Sequence, residues 1–268
     1  GTPLYHTNHS LGLFSSFNAD VVKNVDFYKS GYPARYGGRL SSVIDVRTAD
    51  GDFYRSHGSY RIGLLDGSLH FEGPIRKGKT SYNIGLRRSW LDLLTRPFFA
   101  IYNRNEDKMD VSYFFHDLNL KLTNVFSSRS RLSLSIYSGE DRLRSKDESR
   151  YIYNNNTSTD YDVYKNRFHW GNFNAAIDWN YQFSPMLFAN LTAVYTHNRS
   201  TVNTSDKSVI TRKGQDDEVT LLSHGYRSTI DDIGYRAAFD FRPSPHHHIL
   251  FGQDYTHHMF RPQTYTHF

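Results

Sequence analysis

Residues 173–183 read FNAAIDWNYQF. Phe173, Ala175, Ile177, Trp179, Tyr181 and Phe183 fall in one phase, and Asn174, Ala176, Asp178, Asn180 and Gln182 in the other. Strict alternation of apolar and polar residues is the signature of a strand with two unlike faces. Residues 233–242 repeat it, with Ile233, Tyr235, Ala237, Phe239 and Phe241 set against Gly234, Arg236, Ala238, Asp240 and Arg242. Leu132, Leu134 and Ile136 alternate with serines and a tyrosine, and Leu118, Leu120 and Leu122 with Asn119, Lys121 and Thr123. Extending this pattern along the chain predicts nine strands over 52–64, 68–75, 80–91, 114–126, 132–139, 167–183, 187–199, 227–242 and 248–260.

The connections differ in a regular way. RKGK (76–79), SSRSR (127–131), SPM (184–186) and PSPHH (243–247) are short, while 92–113, 140–166 and 200–226 are long. Only the first hairpin, turning near 65–67, departs from this. Short turns at one end and long loops at the other are the plan of an outer-membrane β-barrel, whose strands are apolar towards lipid and polar towards the lumen. The fold class predicted is therefore all-β, an antiparallel transmembrane β-barrel segment.

The composition of the 268 residues agrees. Tyr (20) and Phe (19) are abundant, as in strands and membrane-interface belts, while the mean hydropathy of -0.65 reads as that of a soluble chain. No apolar run approaches the roughly 20 residues of a membrane helix. The chain has no cysteine, which excludes disulfides and thiolate chemistry. Its net charge of +5 comes from Lys and Arg interspersed with Asp and Glu, so no nucleic-acid-binding face is expected. No Ser-His-Asp set, carboxylate pair or HExxH motif is present, and neither an enzyme nor a cofactor is predicted. The 14 histidines include 246–248, read as a solvated turn, and no metal site is predicted.

Residues 1–50 read differently. Asn18–Lys23 is a short helix candidate with Asn18 as N-cap, 25–29 and 42–47 are strand candidates, and between them lies the stretch GYPARYGGRLSSVIDVRTADG (31–51). Its glycines fit neither GxGxxG nor GxxxxGK[ST], and no helix follows, so it does not read as a phosphate cradle. It reads instead as a tightly turned backbone, in which glycine permits turns and close approach.

FNADVVKNVDFYKSGYPARYGGRLSSVIDVRTADG (17–51) resembles the end of the plug domain of TonB-dependent outer-membrane receptors. GTPLYHTNHSLGLFSSFN (1–18) is similar to the plug segment before it, and FEGPIRKGKTSYNIGLRRSWLD (71–92) to the first barrel turn and the strand after it. The resemblance implies two parts: residues 1–50, the C-terminal part of a small α+β plug, and 51–268, the N-terminal part of a transmembrane β-barrel. Nine strands fall short of the roughly 22 of plugged transporters, and the chain reads as a fragment of a longer protein.

The resemblance further implies energy-coupled import of a scarce nutrient across the outer membrane of a Gram-negative bacterium. The nutrient would be an iron chelate, cobalamin, an oligosaccharide or a peptide. The implied partners are outer-membrane lipid and TonB with its inner-membrane energising complex, reached through a segment outside this chain. The plug motif comprises Gly31, Pro33, Arg35, Tyr36, Gly37, Gly38 and Arg39. Arg35 and Arg39 are candidates to meet the luminal carboxylate of Glu72. Tyr151, Tyr153, Asn155, Tyr161 and Tyr164, in a loop rich in Tyr and Asn, are candidates to touch the ligand. Two other classes remain open at this point: an outer-membrane barrel that transports nothing, such as an adhesin or surface enzyme, and a secreted β-sandwich that binds ligands.

Overall fold

The computed structural model describes residues 2–5, 7–9, 12–37, 42–103, 108–153 and 158–267. Its main element is a single nine-stranded antiparallel sheet in which every strand pairs with its sequence neighbours. The strands are β5 (His57–Ile62), β6 (Asp66–Arg76), β7 (Thr80–Ser89), β8 (Lys108–Ser127), β9 (Ser130–Tyr153), β10 (Ser158–Ser184), β11 (Leu187–Arg212), β12 (Glu218–Ser244) and β13 (His247–His267). The fold is all-β and antiparallel, and the sheet is open: β5 and β13 are its edges and do not pair with each other. Two small two-stranded sheets precede it, β1 (Asn8–His9) with β2 (Phe14–Ser15) and β3 (Val22–Tyr28) with β4 (Val43–Thr48).

The expected short turns are where the sequence places them, but two of the three expected long loops are largely strand. Pairing of β9 with β10 continues unbroken to Tyr153 opposite Ser158, and β11 with β12 to Ile210 opposite Glu218. The reason lies in the residues. Beyond the apolar segments, STVNTSDKSVITR (200–212) is still rich in β-branched residues, which favour strands, but it is polar in both phases. Backbone pairing persists there while the alternation that reveals it is lost.

The third expected loop, 92–113, contains the helix α1 (Leu91–Tyr102) and the start of β8. Residues 108–115 of β8 pair with β9 but not with β7. The helix packs on β8 here, and Thr95 Oγ1 donates to the carbonyl of Val111 at 3.3 Å. A strand edge that would otherwise offer unpaired backbone groups is thus partly covered.

The helix expected at 18–23 shortens to a 3-10 turn at Ala19–Val21. Asn18 caps it as expected, its Oδ1 accepting from Asp20 N at 3.1 Å. The β-branched pair Val21–Val22 then turns the chain into β3.

The two faces of the sheet are unlike. Along β7, Ser81, Asn83, Arg87 and Ser89 are buried, whereas Leu86, in the opposite phase, is 41% exposed. On β10, Asn172, Asn174 and Ala176 are buried while Phe173, Ile177 and Trp179 are exposed. Described residues of the N-terminal segment lie on the polar face, and the aromatic face is exposed.

Candidate functional site

Register pairing brings the polar phases of β6 to β12 onto one face, and the N-terminal segment is fastened to that face at three places. The first is formed by the end of β4 and the residues after it. Lys121 Nζ donates to Thr48 O at 2.9 Å and pairs with Asp50 at 2.8 Å. Arg131 also contacts Asp50. Ser81 Oγ and Asn83 Nδ2 donate to the carbonyls of Asp50 and Ala49 at 2.7 and 3.2 Å. Burial pushes the Asp50 carboxyl pKa up, but Lys121 and Arg131 more than offset this and hold it below the usual carboxylate range. Gly51 follows at φ 84°, and a Cβ there would run into the carbonyl of Tyr82.

The second place is the 3-10 turn. Ser68 Oγ donates to Asp20 Oδ2 at 2.6 Å, and Arg61 lies 3.7 Å from the same oxygen. Val21 sits over Gly85, where any Cβ would collide with its Cγ1. The bare glycine on β7 is what allows the segment to lie so close.

The third place is the β1–β2 hairpin. His9 is 3% exposed, and its ring lies flat on that of Phe115, with centroids 4.4 Å apart and planes 4° apart. Its Nδ1 contacts Asp141 Oδ1, and its Nε2 is 3.5 Å from Asp117 Oδ2. Arg87 Nε donates to Asp117 Oδ2 at 2.8 Å, and its Nη2 donates to Ser15 O at 2.7 Å. Tyr113 OH donates to Asp141 Oδ2 at 2.5 Å. Burial alone would push the His9 pKa down; the adjoining carboxylates of Asp117 and Asp141, the latter hydrogen-bonded to Nδ1, outweigh it and raise the pKa. Further along the face, Asn174 Nδ2 donates to Pro3 O at 2.9 Å, and Tyr5 OH to Asp232 Oδ2 at 2.5 Å.

The expected plug-motif residues are placed differently. Gly31 has φ 64°, a left-handed conformation that favours glycine. Pro33 precedes a 3-10 turn at Ala34–Tyr36. The Arg35 guanidinium lies 4.9 Å from the Tyr36 ring centroid, and Tyr36 OH donates to Asp45 Oδ2 at 2.8 Å. These residues tie the β3–β4 connection back onto β4 and make no ion pair with the sheet. Gly37 has an ordinary φ of -54°, and its nearest neighbour is Ala34 O. The close approach expected there occurs at Gly51 and Gly85. Gly38 and Arg39 lie outside the described residues.

Glu72 is half-buried on β6, opposite His57 and Asn83, and pairs with no cation among the described residues, which do not include Arg39. The charges that meet between the described parts of segment and sheet are others than those expected: Asp20 and Asp50 face Arg61, Lys121 and Arg131, and His9 faces Asp117 and Asp141. Asp20, Asp50 and His9 carried no motif. The signal that could have found Lys121, Asp117 and Asp141 is their position in the polar phase of the alternating strands.

The tyrosines proposed for ligand contact lie on the extended β9–β10 hairpin, not in an irregular loop. Tyr151 and Tyr153 on β9 and Tyr164 on β10 share one phase and are 50%, 48% and 45% exposed. Tyr161 falls in the other phase, beside Glu148. Asn155 lies outside the described residues. No known protein family, curated protein or solved structure matches the chain.

Proposed function

We propose that the chain is part of a TonB-dependent outer-membrane receptor, in which 51–268 form nine strands of a larger plugged barrel and 1–50 the end of the plug. The observation that carries this reading is the distribution of polarity: the sheet buries its polar face under a segment of its own chain and leaves its aromatic face bare. A protein in water arranged this way would expose a far larger contiguous apolar patch than is usual. In a barrel wall the bare face meets lipid, and the covered face is a lumen filled by a plug.

The extent of the bare face supports the reading. On β10 it runs for eleven residues, Phe173 to Phe183, and on β12 for nine, Ile233 to Phe241. About 9–11 tilted residues cross a bilayer. At the end away from the short turns, the same face becomes charged. Glu140 meets Arg142 at 2.9 Å and His169 at 3.3 Å, and Asp231 meets His197 at 2.7 Å and Arg261. At the short-turn end, rings cluster as in an interfacial belt: Trp179 with Tyr181, Tyr181 with Phe183, and Phe239 on Phe251 at 5.0 Å.

In this reading no covalent chemistry is performed. The hairpins beyond the charged level, with Tyr151, Tyr153 and Tyr164 on one face, face the medium and capture a nutrient. TonB, acting through a segment outside this chain, pulls the plug aside. The open edges at β5 and β13 would be closed by further strands, because unpaired backbone in lipid costs several kcal/mol per group.

The test is cysteine accessibility on intact cells making the full-length protein. Tyr153→Cys should react with a membrane-impermeant maleimide and Gly78→Cys should not, and the protein should leave the outer-membrane fraction only with detergent. Labelling at Gly78, or release of the protein without detergent, would overturn the reading.

A further inference from the structure

Of the three fastenings between segment and sheet, the one at His9 sets a buried histidine of the segment itself between two buried carboxylates of the sheet. The groups facing the imidazole are Arg87 from β7, Tyr113 and Asp117 from β8, and Tyr137 and Asp141 from β9. Arg87 is the permanent cation among them, set against two carboxylates. Asp117 and Asp141 are 2% and 1% exposed, and Asp117 Oδ1 has no hydrogen-bond partner among the described residues. With His9 neutral, the pocket therefore holds one uncompensated negative charge away from water. With His9 protonated, it is balanced.

We propose that His9 is a protonation-controlled latch: charged, it holds the β1–β2 hairpin against β7, β8 and β9, and neutral, it lets the hairpin go. A buried ion pair is weak evidence for stability while intact, but removing one partner's charge is costly because the other is stranded. Loss of the His9 proton does this without a mutation. Segment release relieves the cost, since water can then reach both aspartates. The direction of the His9 shift agrees. A group whose pKa is raised on folding adds stability that is complete below its unfolded value, about 6.5, and lost as pH rises through the folded value. The segment should be closed at mildly acidic pH and open progressively under alkaline conditions. The segment's other end is held by Asp50 between Lys121 and Arg131, a contact without histidine. The latch is a property of this contact and does not depend on the transport reading.

The experiment is hydrogen exchange on the intact protein from pH 6 to 9, corrected for the intrinsic exchange rate. Opening of residues 7–9 and 12–17 should rise by up to tenfold per pH unit above the unfolded value, as expected for release of one proton, and level off once the folded pKa is passed. Residues 43–50 should show no such slope. His9→Gln should leave the hairpin residues open at every pH. His9→Gln combined with Asp141→Asn leaves Arg87 and Asp117 balanced, and should close them again without a pH slope. The double variant keeps the test decisive if the single one folds poorly. Equal slopes in the wild type and the double variant, or equal slopes in the hairpin and at 43–50, would overturn the latch.

Discussion

On β10, Phe173, Ile177 and Trp179 are 36%, 49% and 38% exposed, while Asn172 and Asn174, one residue out of phase, are each 6% exposed. The same inversion runs along β7 and β12. Two faces of one sheet thus follow opposite rules. Residues that drive burial in water stand bare, and residues that favour water are buried, several of them against described parts of the N-terminal segment. What holds the sealed side is not apolar area but a set of specific partners: the Arg87–Asp117–His9–Asp141 group, Asp50 between Lys121 and Arg131, and the carbonyls of Thr48, Ala49 and Asp50. The contrast teaches that the two faces fail in different ways. The covered face depends on charge balance and is sensitive to single lost partners. The bare face depends on having no charge at all.

The largest effect is expected on the covered face. Arg87→Ala removes the permanent cation between Ser15 and Asp117 and leaves two buried aspartates with His9 alone. Breaking a buried pair costs about 3–5 kcal/mol, and the denaturation midpoint in detergent should fall accordingly. Arg87→Met with Asp117→Leu removes both charges at once and should cost less than Arg87→Ala alone. If the double variant is the worse of the two, the covered face is held by something other than charge balance.

A smaller effect should separate the faces directly. Ala237 shares a phase with Tyr235 and Phe239 on the bare side, and Ala238 lies in the covered phase opposite Asn190 and Gly252. Arg on a lipid-facing position near mid-bilayer costs roughly 2–4 kcal/mol. Ala237→Arg should therefore lower folding stability in lipid vesicles by more than Ala238→Arg does. The reverse order would mean that the bare face does not meet lipid.

Much of this contrast was legible in the sequence, because alternation survives in any strand whose two sides have different surroundings. FNAAIDWNYQF gives both the strand and its phase, and the nine strands appear in their expected order. The parts that could not be read have a common cause. Residues 140–153 and 200–212 are polar in both phases, so their pairing leaves no periodic trace. The contacts of the N-terminal segment are pairings between residues far apart in sequence, His9 with Asp141 and Asp50 with Lys121. No local motif marks which of many polar-phase residues will meet which part of the segment. The glycines that stand out, at 37 and 38, drew attention from Gly51 and Gly85, which stand singly and are the ones pressed against backbone or side chain.

A moderate effect is expected at Asp50. Its carboxyl pKa is held low by Lys121 and Arg131, so its contribution is present above the unfolded value, about 3.9, and lost as pH falls through the folded value. Asp50→Asn keeps the shape and removes the charge; at pH 7 it should cost about 1–3 kcal/mol, the range for hydrogen bonds to charged groups. Protease protection of 43–50 should fall with it. The same substitution at pH 3 should cost less, since that pH lies below the unfolded value and the charge's contribution is then being lost. A cost that does not shrink on acidification would mean that Asp50 acts through packing rather than charge.

The smallest effect is expected where the sequence drew most attention. Arg35 stacks on Tyr36, within its own connection, and Glu72 is half-buried on β6 with no cation paired to it among the described residues. Neither removal strands a buried charge, and substitutions away from such features usually lie within about 0.5 kcal/mol. Arg35→Ala and Glu72→Ala should each be nearly neutral in the full-length protein, by denaturation midpoint and by protease protection of the segment. Their double variant should equal the sum of the singles, because residues that share no contact are additive. A cost above about 1 kcal/mol for either one, with a double variant less costly than the sum, would reveal a direct Arg35–Glu72 pair. The covered face would then have a further fastening, with its cation on the segment as at His9 and unlike the Asp50 contact.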